Sequence, residues 1–447
     1  MRRAASERGI AVLVVLVVLA IGALAGTVAL LAARSAGEAA MLSAGRLQSR
    51  LTMRSGVLAL GQMARDQRGD VLGGAEFVVD DPVELFTEGN RTAVFRLDGR
   101  MTETPVSLDA LLDVNTADAE MLAKLPGMDE TLADAMAGAL PVRSLRELLE
   151  VEGVTVELLY GEYDEFGRLI SQDAPLASLL TVGSGEPAIS IGVGGATPTA
   201  ERVDVSKSLT EEAAERLGEL LDPQEGSNQL VAALRQMDSP PASLGGVARA
   251  LRASGQTLAT AGQALDTVCI GAGPARGRVD INRAPFEVLA VLPGLDEESA
   301  QGIVDARRSL SAEQLTDPLW PLREGLVDEE GMLEAVDRIT TRSVRWVLRA
   351  EAGMVTVRER SVGIDSLEDA QRARAGMAGD DQEKLADRVA MDYLVDFSGD
   401  RPVVVPLGEV SIAGELAAVA RVLADAREAE GDFGLAPEPA PETGGRP

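Results

Sequence analysis

Histidine is absent from this 447-residue chain, and cysteine and aromatic residues are scarce. Without histidine, Ser-His-Asp and Cys-His catalysis, histidine zinc sites and histidine-based proton transfer are excluded. The single cysteine, Cys269, cannot form a disulfide within the chain, and it leaves the redox compartment undefined. Because aromatic residues make up only 3% of the chain, its cores must be built from Leu, Val and Ala.

Basic residues are also in deficit, with 42 Lys and Arg against 71 Asp and Glu and a formal net charge of −29. Phosphate binding requires basic side chains concentrated on one face, so this balance argues against a nucleic-acid partner for most of the chain. The excess negative charge is typical of a soluble surface whose like charges repel one another, or of a surface that attracts cations such as Ca²⁺. The length allows two or three domains, each with its own core.

One long hydrophobic run extends from Ile10 to Ala33, and its 24 residues include no charged side chain. In a helix such a run is about 36 Å long, which is enough to cross a hydrocarbon core of about 30 Å. It exceeds the apolar region of an ordinary signal peptide, which indicates a retained anchor. Because Arg2, Arg3 and Arg8 precede it, we expect a short cytoplasmic tail with the remainder outside.

The junction Arg8-Gly9-Ile10 is a short basic leader that ends in Gly before the long apolar helix. It resembles a type IV prepilin or pseudopilin, in which a membrane peptidase cuts after the Gly and the new first residue is methylated. The resemblance implies cleavage between Gly9 and Ile10. Most members have Glu as the fifth processed residue, whereas this chain has Val14, as is typical of the K-type minor pseudopilin of type II secretion systems. The residues alone also allow a plain signal anchor.

The sequence after the apolar run contains no proline and places apolar residues three and four positions apart, which predicts one helix from about Ile10 to Asp66. The predicted packing stripe consists of Leu42, Met53, Val57, Leu60 and Met63. Half of this helix would cross the membrane and half would pack against the rest of the protein. That division resembles the spine helix of a pseudopilin.

Two stretches, DVNTADAEMLAKLPGMDE from Asp113 and DINRAPFEVLAVLPGLDE from Asp280, align without a gap at an offset of 167 residues. In each copy Leu-Pro-Gly separates two short amphipathic helices, because Gly permits the positive φ that closes a helix and the next Asp can cap the following one. The turn residues are Pro126, Gly127 and Asp129 in the first copy, and Pro293, Gly294 and Asp296 in the second. The second copy should pack through Leu289, Leu292, Leu295, Ala300 and Ile303.

This repeat resembles the helix-hairpin-helix motif, whose DNA-binding members have a second Gly in the turn that lets backbone amides approach a phosphate. Here Asp129 and Asp296 take that place, each followed by Glu, so they repel a phosphate and occupy the amides. We therefore interpret the hairpins as scaffold. The alternative is a membrane-anchored, competence-type DNA-binding protein, which would need a basic surface around the hairpins.

The K-type resemblance extends to these hairpins, because that family has a large helical domain with similar segments. The second copy departs from the pattern, with Arg283 where the first copy has Thr. Segments 143–162 and 338–353 also resemble the family, whereas residues 174–266 and the chain beyond Gly363 do not. A divergent member is therefore expected.

A segment with the 12-residue spacing of an EF-hand loop, EYDEFGRLISQD, follows the first hairpin. Gly167 stands at the sixth position, where such a loop turns sharply. The candidate calcium ligands are Glu162, Asp164, Arg168 and Asp173. Because Phe166 supplies no side-chain oxygen and Asp173 is shorter than the usual Glu, an acidic surface turn without metal is the competing interpretation.

The whole pattern predicts an α+β protein with a long N-terminal transmembrane and spine helix, a small antiparallel pseudopilin-like sheet, and a large inserted helical domain with the two hairpins. Strands are predicted at 75–81 and 92–99, a hairpin at 342–360, and further strands near 389–399 and 401–407. The predicted regions are a leader (1–9), the helix (10–66), the first part of the sheet (67–106), a helical domain (107–182), a loop and helical insertion (183–278), the second hairpin (279–340), the sheet return and C-terminal part (341–429), and a disordered tail (430–447). Separate domains in series fit the same order.

Acidic residues are abundant, but no pair stands in a recognisable catalytic motif, so an enzyme is disfavoured. The resemblance implies a non-enzymatic minor pseudopilin at the tip of the type II secretion pseudopilus, which initiates assembly and supports protein export across the outer membrane. Its implied partners are the I- and J-type minor pseudopilins and the prepilin peptidase. The implied location is the inner membrane, with one span, a cytoplasmic N-terminus and a periplasmic head, and no nucleic acid is expected as a partner.

Overall fold

The computed structural model describes residues 3–79, 82–97, 105–162, 170–171, 173–190, 200–221, 227–271, 273–356 and 385–409. The protein is α+β, with a long apolar N-terminal helix, an antiparallel sheet and many short helices. The chain divides into two compact units. One comprises Met1–Leu58, Asp81–Arg96 and Glu351–Ala390, and the other comprises Ala59–Asp80, Leu97–Ala350 and Met391–Pro447. The predicted tail at 430–447 lies outside the described residues.

The helices, in chain order, are α1 (Arg3–Leu72), α2 (Ala119–Ala123), α3 (Glu130–Ala139), α4 (Val156–Tyr160), α5 (Leu176–Leu179), α6 (Glu211–Leu220), α7 (Ser227–Gln236), α8 (Leu244–Ala253), α9 (Gly262–Asp266), α10 (Phe286–Leu289), α11 (Glu297–Ala306), α12 (Ala312–Leu315), α13 (Trp320–Arg323) and α14 (Glu329–Ala335). Short 3-10 segments occupy Leu108–Ala110, Leu145–Glu150 and Leu258–Thr260. Helix α1 begins before Ile10 and ends beyond Asp66, at a point where Gly73 and Gly74 follow.

The strands, in chain order, are β1 (Val83–Glu88), β2 (Arg91–Leu97), β3 (Val106–Ser107), β4 (Leu112–Asp113), β5 (Leu180–Thr181), β6 (Ile189–Ser190), β7 (Ala200–Glu201), β8 (Val203–Asp204), β9 (Val268–Cys269), β10 (Val279–Asp280), β11 (Ile339–Thr340), β12 (Arg345–Thr356), β13 (Ala386–Asp396) and β14 (Val403–Glu409). The six-stranded sheet has the order β1-β2-β12-β13-β14, and β3 also pairs with β12. Its strands thus come from both sides of the helical region in the sequence.

The predicted hairpin at 342–360 is wrong, because β12 runs without a turn through Gly353. Residues 350–355 are all buried, so both faces of the strand are covered as it passes the glycine. Buried Glu351 pairs with Arg96 at 2.6 Å and also with Arg388. The predicted strands at 92–99, 389–399 and 401–407 are confirmed by β2, β13 and β14.

The strand predicted at 75–81 does not form in its described part, residues 75–79. The side chain of Gln67 takes both backbone hydrogen bonds of Val78. Its amide donates to the Val78 carbonyl at 2.6 Å, and its oxygen accepts from the Val78 amide at 3.0 Å. Phe77 is fully buried and meets Phe397 edge to face at 5.1 Å. The segment is therefore held by one side chain and one aromatic contact instead of by a neighbouring strand.

Three short parallel strand pairs organise the helical region: β4 with β5, β8 with β9, and β10 with β11. The first strand of each pair ends at an Asp whose Oδ1 accepts from the backbone amide two residues later. The bonds run from Asn115 to Asp113 (3.1 Å), from Ser206 to Asp204 (2.9 Å) and from Asn282 to Asp280 (2.9 Å). The two predicted repeats are therefore joined by a third unit of the same local design, which begins at Asp204.

The region predicted as a loop and helical insertion (183–278) does not begin with an exposed loop over residues 183–190. Ser184, Glu186 and Ser190 are buried there. A polar segment can be buried when its groups find partners: the Ser184 amide donates to Asp113 at 3.0 Å, and the Ser190 hydroxyl donates to Asp266 at 2.9 Å.

Candidate functional site

Helix α1 buries one face over residues 49–56. Ser49, Thr52, Met53 and Gly56 lie on one side of the helix, and all four are buried. A Cβ added at Gly56 would overlap the ring of Phe95, so this approach requires glycine. The chain therefore contacts this part of α1 closely along a single narrow face.

The packing stripe predicted for α1 is confirmed in part. Met53 and Leu60 are fully buried, and Val57 and Met63 are half-buried. Leu42 is exposed, because the buried face begins only near Ser49.

The opposite face of the same segment carries an exposed apolar stripe. Leu47, Leu51 and Leu58 are 61%, 50% and 72% exposed. At about 100° per residue, these three positions lie within roughly 40° of one another and point away from Ser49 and Gly56. A soluble helix rarely exposes leucines in a row opposite its buried face, so this stripe is a candidate contact surface for another helix.

Toward its N-terminus α1 is long and apolar enough to span a membrane, with a mean hydropathy of 2.5 over an 18-residue stretch and no residue of that stretch buried. Side chains are exposed from Leu16 to Ala44. An α-helix that is apolar on all sides requires lipid or other helices around it. Gly9 and Ile10 lie within the α1 backbone, but the side chains before Leu16 are not described, so processing there stays a prediction.

Both hairpin turns have the predicted geometry. Gly127 and Gly294 adopt φ values of 72° and 76°. Asp129 accepts from the Leu132 amide at 2.8 Å to cap α3, and Asp296 accepts from the Ser299 amide at 2.8 Å to cap α11. The bond from the Ser299 amide stabilises the carboxylate of Asp296 and lowers its pKa.

The hairpin turns face the chain's own helices. A Cβ added at Gly294 would overlap the backbone of Gly331 at the start of α14, and one added at Gly127 would lie 2.9 Å from the Leu158 side chain of α4. Pro126 and Pro293 are half-buried beside them. The residues predicted to form the second crossing are all buried: Leu289, Leu292, Leu295, Ala300 and Ile303. This packing, together with the Asp caps, leaves the turns poorly suited to a phosphate.

The candidate calcium loop is described only at its ends. Asp164 and Arg168 lie outside the described residues. Glu162 and Asp173 are exposed, and the Glu162 carbonyl accepts from the Ile170 amide at 2.8 Å. Among the described residues no group of three potential ligands is placed to hold a metal ion. Calcium binding stays a hypothesis, and calorimetric titration with Ca²⁺ would test it.

Asp109 joins the segments that follow the first and the last strand pair, a role that the sequence does not reveal. Its carboxylate accepts from the Gly185 amide at 3.2 Å, after the first strand pair, and from the Val344 and Arg345 amides at 2.7 and 3.0 Å, after the last. Burial dominates these bonds and raises the pKa of Asp109 to about 7. Two backbone segments, at Gly185 and at Val344–Arg345, are therefore held by one buried carboxyl group whose pKa is raised.

A buried ion cluster ties the three strand pairs together. Arg202 pairs with Glu186 at 2.8 Å and with Asp266 at 2.7 Å, and Arg342 reaches the same two carboxylates at 2.9 and 2.6 Å. Arg278 adds a bond of 2.7 Å to Glu186. Burial opposes the charge on Glu186, but the three guanidinium groups outweigh it and hold its pKa well below the usual range. Removing one charged side chain of this cluster would leave an uncompensated buried charge.

Comparisons with protein families, with curated proteins and with solved structures found no match to this chain. Its function must therefore be inferred from the geometry of α1 and of the hairpins. The exposed stripe of Leu47, Leu51 and Leu58 was missed from the sequence, although its spacing of four and seven was visible. The third unit was visible too, since Asp204-Val-Ser206 parallels Asp280-Ile-Asn282.

Proposed function

We propose that this protein is a non-enzymatic minor pseudopilin of the K type, placed at the tip of a type II secretion pseudopilus, where it initiates assembly and supports protein export. The observation that carries the proposal is the division of α1 into two faces. Met53 and Gly56 face inward, while Leu47, Leu51 and Leu58 lie exposed opposite them. A free apolar stripe that continues an apolar, membrane-length helix suits lateral packing into a bundle of similar helices.

The N-terminal residues support a tip position within such a bundle. In the family that this chain resembles, the fifth processed residue is an acid that pairs with a neighbour's amino terminus. Here Val14 occupies that place, and Ile10–Ala33 contains no acid. A first subunit has no neighbour above it to receive such a carboxylate, so its absence costs nothing at the tip.

The rest of the chain fits a scaffold head. Strands from both sides of the helical region share one sheet, as expected for a pseudopilin sheet with a large helical insertion. The hairpin turns pack against Leu158 and Gly331 of the same chain, which favours a structural role over DNA binding. The proposed arrangement is a single inner-membrane span, a cytoplasmic N-terminus processed by the prepilin peptidase, and a periplasmic head that binds I- and J-type minor pseudopilins.

The proposal is tested by co-purification of the full chain with the I- and J-type minor pseudopilins encoded with it. Leu51→Lys and Leu58→Lys place charges in the exposed stripe and should reduce recovery of the partners at least about tenfold, because a helix interface excludes an unpaired charge. Ser43→Lys is the matched control, since Ser43 is an exposed polar residue of the same helix. This variant should retain its partners.

Two outcomes would contradict the proposal. One is that the wild-type chain retains neither partner. The other is that the head retains duplex DNA at physiological salt, which would favour the competence-type alternative.

A further inference from the structure

The exposed stripe of Leu47, Leu51 and Leu58 on α1 surrounds one charged side chain, that of Arg54. Arg54 follows Leu51 by three residues and precedes Leu58 by four, so it lies within roughly 60° of each leucine around the helix. It is exposed, and it forms no ion pair among the residues that the structure describes. In a contact with another helix, its guanidinium group would lie among the leucines.

The neighbouring turns of α1 supply no counter-charge for this arginine. Residues 39–64 contain three arginines and neither Asp nor Glu. This basic excess is local, because the whole chain has a formal net charge of −29. A guanidinium group enclosed in an apolar contact is costly unless a carboxylate pairs with it. Whatever covers the stripe must therefore bring that carboxylate.

Phospholipid headgroups lie too far from Arg54 to serve as the counter-charge. The uncharged run ends at Ala33, and Arg54 follows it by 21 residues, which is about 32 Å along a helix. In the proposed single-span arrangement, the headgroup layer extends only about 5–8 Å beyond the hydrocarbon core. The counter-charge therefore comes from a protein.

The α1 helix of a second copy of this chain does not supply the counter-charge either. In two parallel copies at one level, Arg54 meets a segment whose only charged residues are arginines. The nearest acids on α1 are Asp66, 12 residues later, and Glu38, 16 residues earlier, and both already bond to neighbours on the helix. To bring either acid opposite Arg54, one copy must shift by about 18 or 24 Å, which moves about half or more of its apolar run out of the membrane.

We propose that the exposed stripe binds a helix of a different protein that presents an Asp or Glu opposite Arg54, and that the lack of acids over residues 39–64 excludes a second copy of this chain from the same contact. This inference rests on the proposed assembly function and adds the chemistry of the partner helix. Arg suits such a pairing, because its planar guanidinium group binds a carboxylate through two parallel hydrogen bonds. Repulsion between like charges then rejects the wrong partner.

Co-purification of the full chain in detergent with the I- and J-type minor pseudopilins tests the inference. Arg54→Glu should reduce recovery of one partner at least about tenfold, because two carboxylates then face each other. Arg54→Lys keeps the charge but loses the parallel bonds, so a reduction of only about threefold is expected. Arg46→Glu is the matched control, since it reverses an exposed charge about 120° around the same helix from the stripe, and recovery should persist.

A reciprocal change identifies the carboxylate on the partner. In the partner that Arg54→Glu no longer retains, each Asp and Glu of the N-terminal helix is replaced in turn by Arg. One replacement should restore recovery to within about threefold of the wild-type pair, because the two charges are exchanged. Equal urea midpoints of the wild-type chain and Arg54→Glu would verify that the variant is folded.

Three results would overturn the inference while the assembly function stands. Arg54→Glu retains both partners as well as the wild-type chain does. Wild-type copies with two different tags retain each other, and Leu51→Lys separates them. Arg54→Glu releases bound anionic phospholipid without changing partner recovery, which assigns the charge to the membrane. Failure of the wild-type chain to retain either partner would instead reject the assembly function, and this inference with it.

Discussion

The two hairpin copies have the same turn and the same cap, yet their turns meet different surroundings. Gly127 faces the end of a flexible side chain, Leu158, whereas Gly294 faces the backbone of Gly331. The Asp residues that begin the two copies, Asp113 and Asp280, also have different partners, and we call them the leading Asp residues. Asp113 is held by neutral donors of Asn115 and Ser184, whereas Asp280 also accepts from Arg283 at 2.7 Å. The motif thus determines the shape of the hairpin, and the surrounding helices determine how strongly each copy is fixed.

The largest expected effect concerns Asp109, which binds the segments that follow the first and the last strand pair. Its pKa is raised in the folded state from 3.8 to about 7, so its contribution to stability is complete below pH 3.8 and is lost as the pH rises through 7. We expect the free energy of unfolding in urea to fall by about 3 kcal/mol between pH 5 and pH 8.

Asp109→Ala should remove most of this dependence of the unfolding free energy on pH. A smaller dependence should remain from Asp317, because burial also raises the pKa of that residue. The pKa of Glu186 is lowered, so its contribution to stability changes only below about pH 4.5, which is outside the range between pH 5 and pH 8. An equal slope in wild type and variant would show that Asp109 does not titrate as the geometry indicates.

The next largest effect is a difference in stability loss between substitutions at the two hairpin turns. Gly294→Ala should destabilise the protein by about 3 kcal/mol, because it adds backbone strain at positive φ and forces α14 to move. Gly127→Ala adds similar strain, but Leu158 can rotate away, so about 1 kcal/mol is expected. Urea unfolding followed by the fluorescence of buried Trp320 and Trp346 measures both variants. Equal losses would mean that packing behind the turns does not distinguish the copies.

A smaller difference is expected between the leading Asp residues. Asp280→Ala leaves Arg283 without its counter-charge and should cost about 3 kcal/mol. Asp113→Ala leaves only neutral donors unpaired and should cost about 2 kcal/mol. The same unfolding measurement applies. A larger loss for Asp113→Ala would contradict the assigned hydrogen-bond networks.

No difference is expected between the caps. Asp129→Ala and Asp296→Ala each free one amide at the start of a helix, so exchange of the Leu132 and Ser299 amides should accelerate by similar factors. The measurement is hydrogen exchange of α3 and α11. Faster exchange in only one helix would show that the two caps are not equivalent.

Much of this fold was predictable because its signals are local. The α1 helix, the Leu-Pro-Gly turns and the Asp caps depend on neighbouring residues, and the structure contains all three, although Leu42 of the predicted packing stripe is exposed. The predictions were wrong where contacts between residues far apart in the sequence determine the structure. Glu351 continues β12 through Gly353 by pairing with Arg96 and Arg388, and Ser184 is buried because Asp113 accepts its amide. The exposed stripe on α1 could be assigned only once its opposite face was known to be buried.

The most direct test of the central claim, that α1 is the processed stem of a pilus-like assembly, is mass spectrometry of the N-terminus of the protein purified from its own cells. The account predicts a chain that begins at N-methylated Ile10. A chain that begins at Met1, or one cut beyond Ala33 with the apolar run removed, would contradict it.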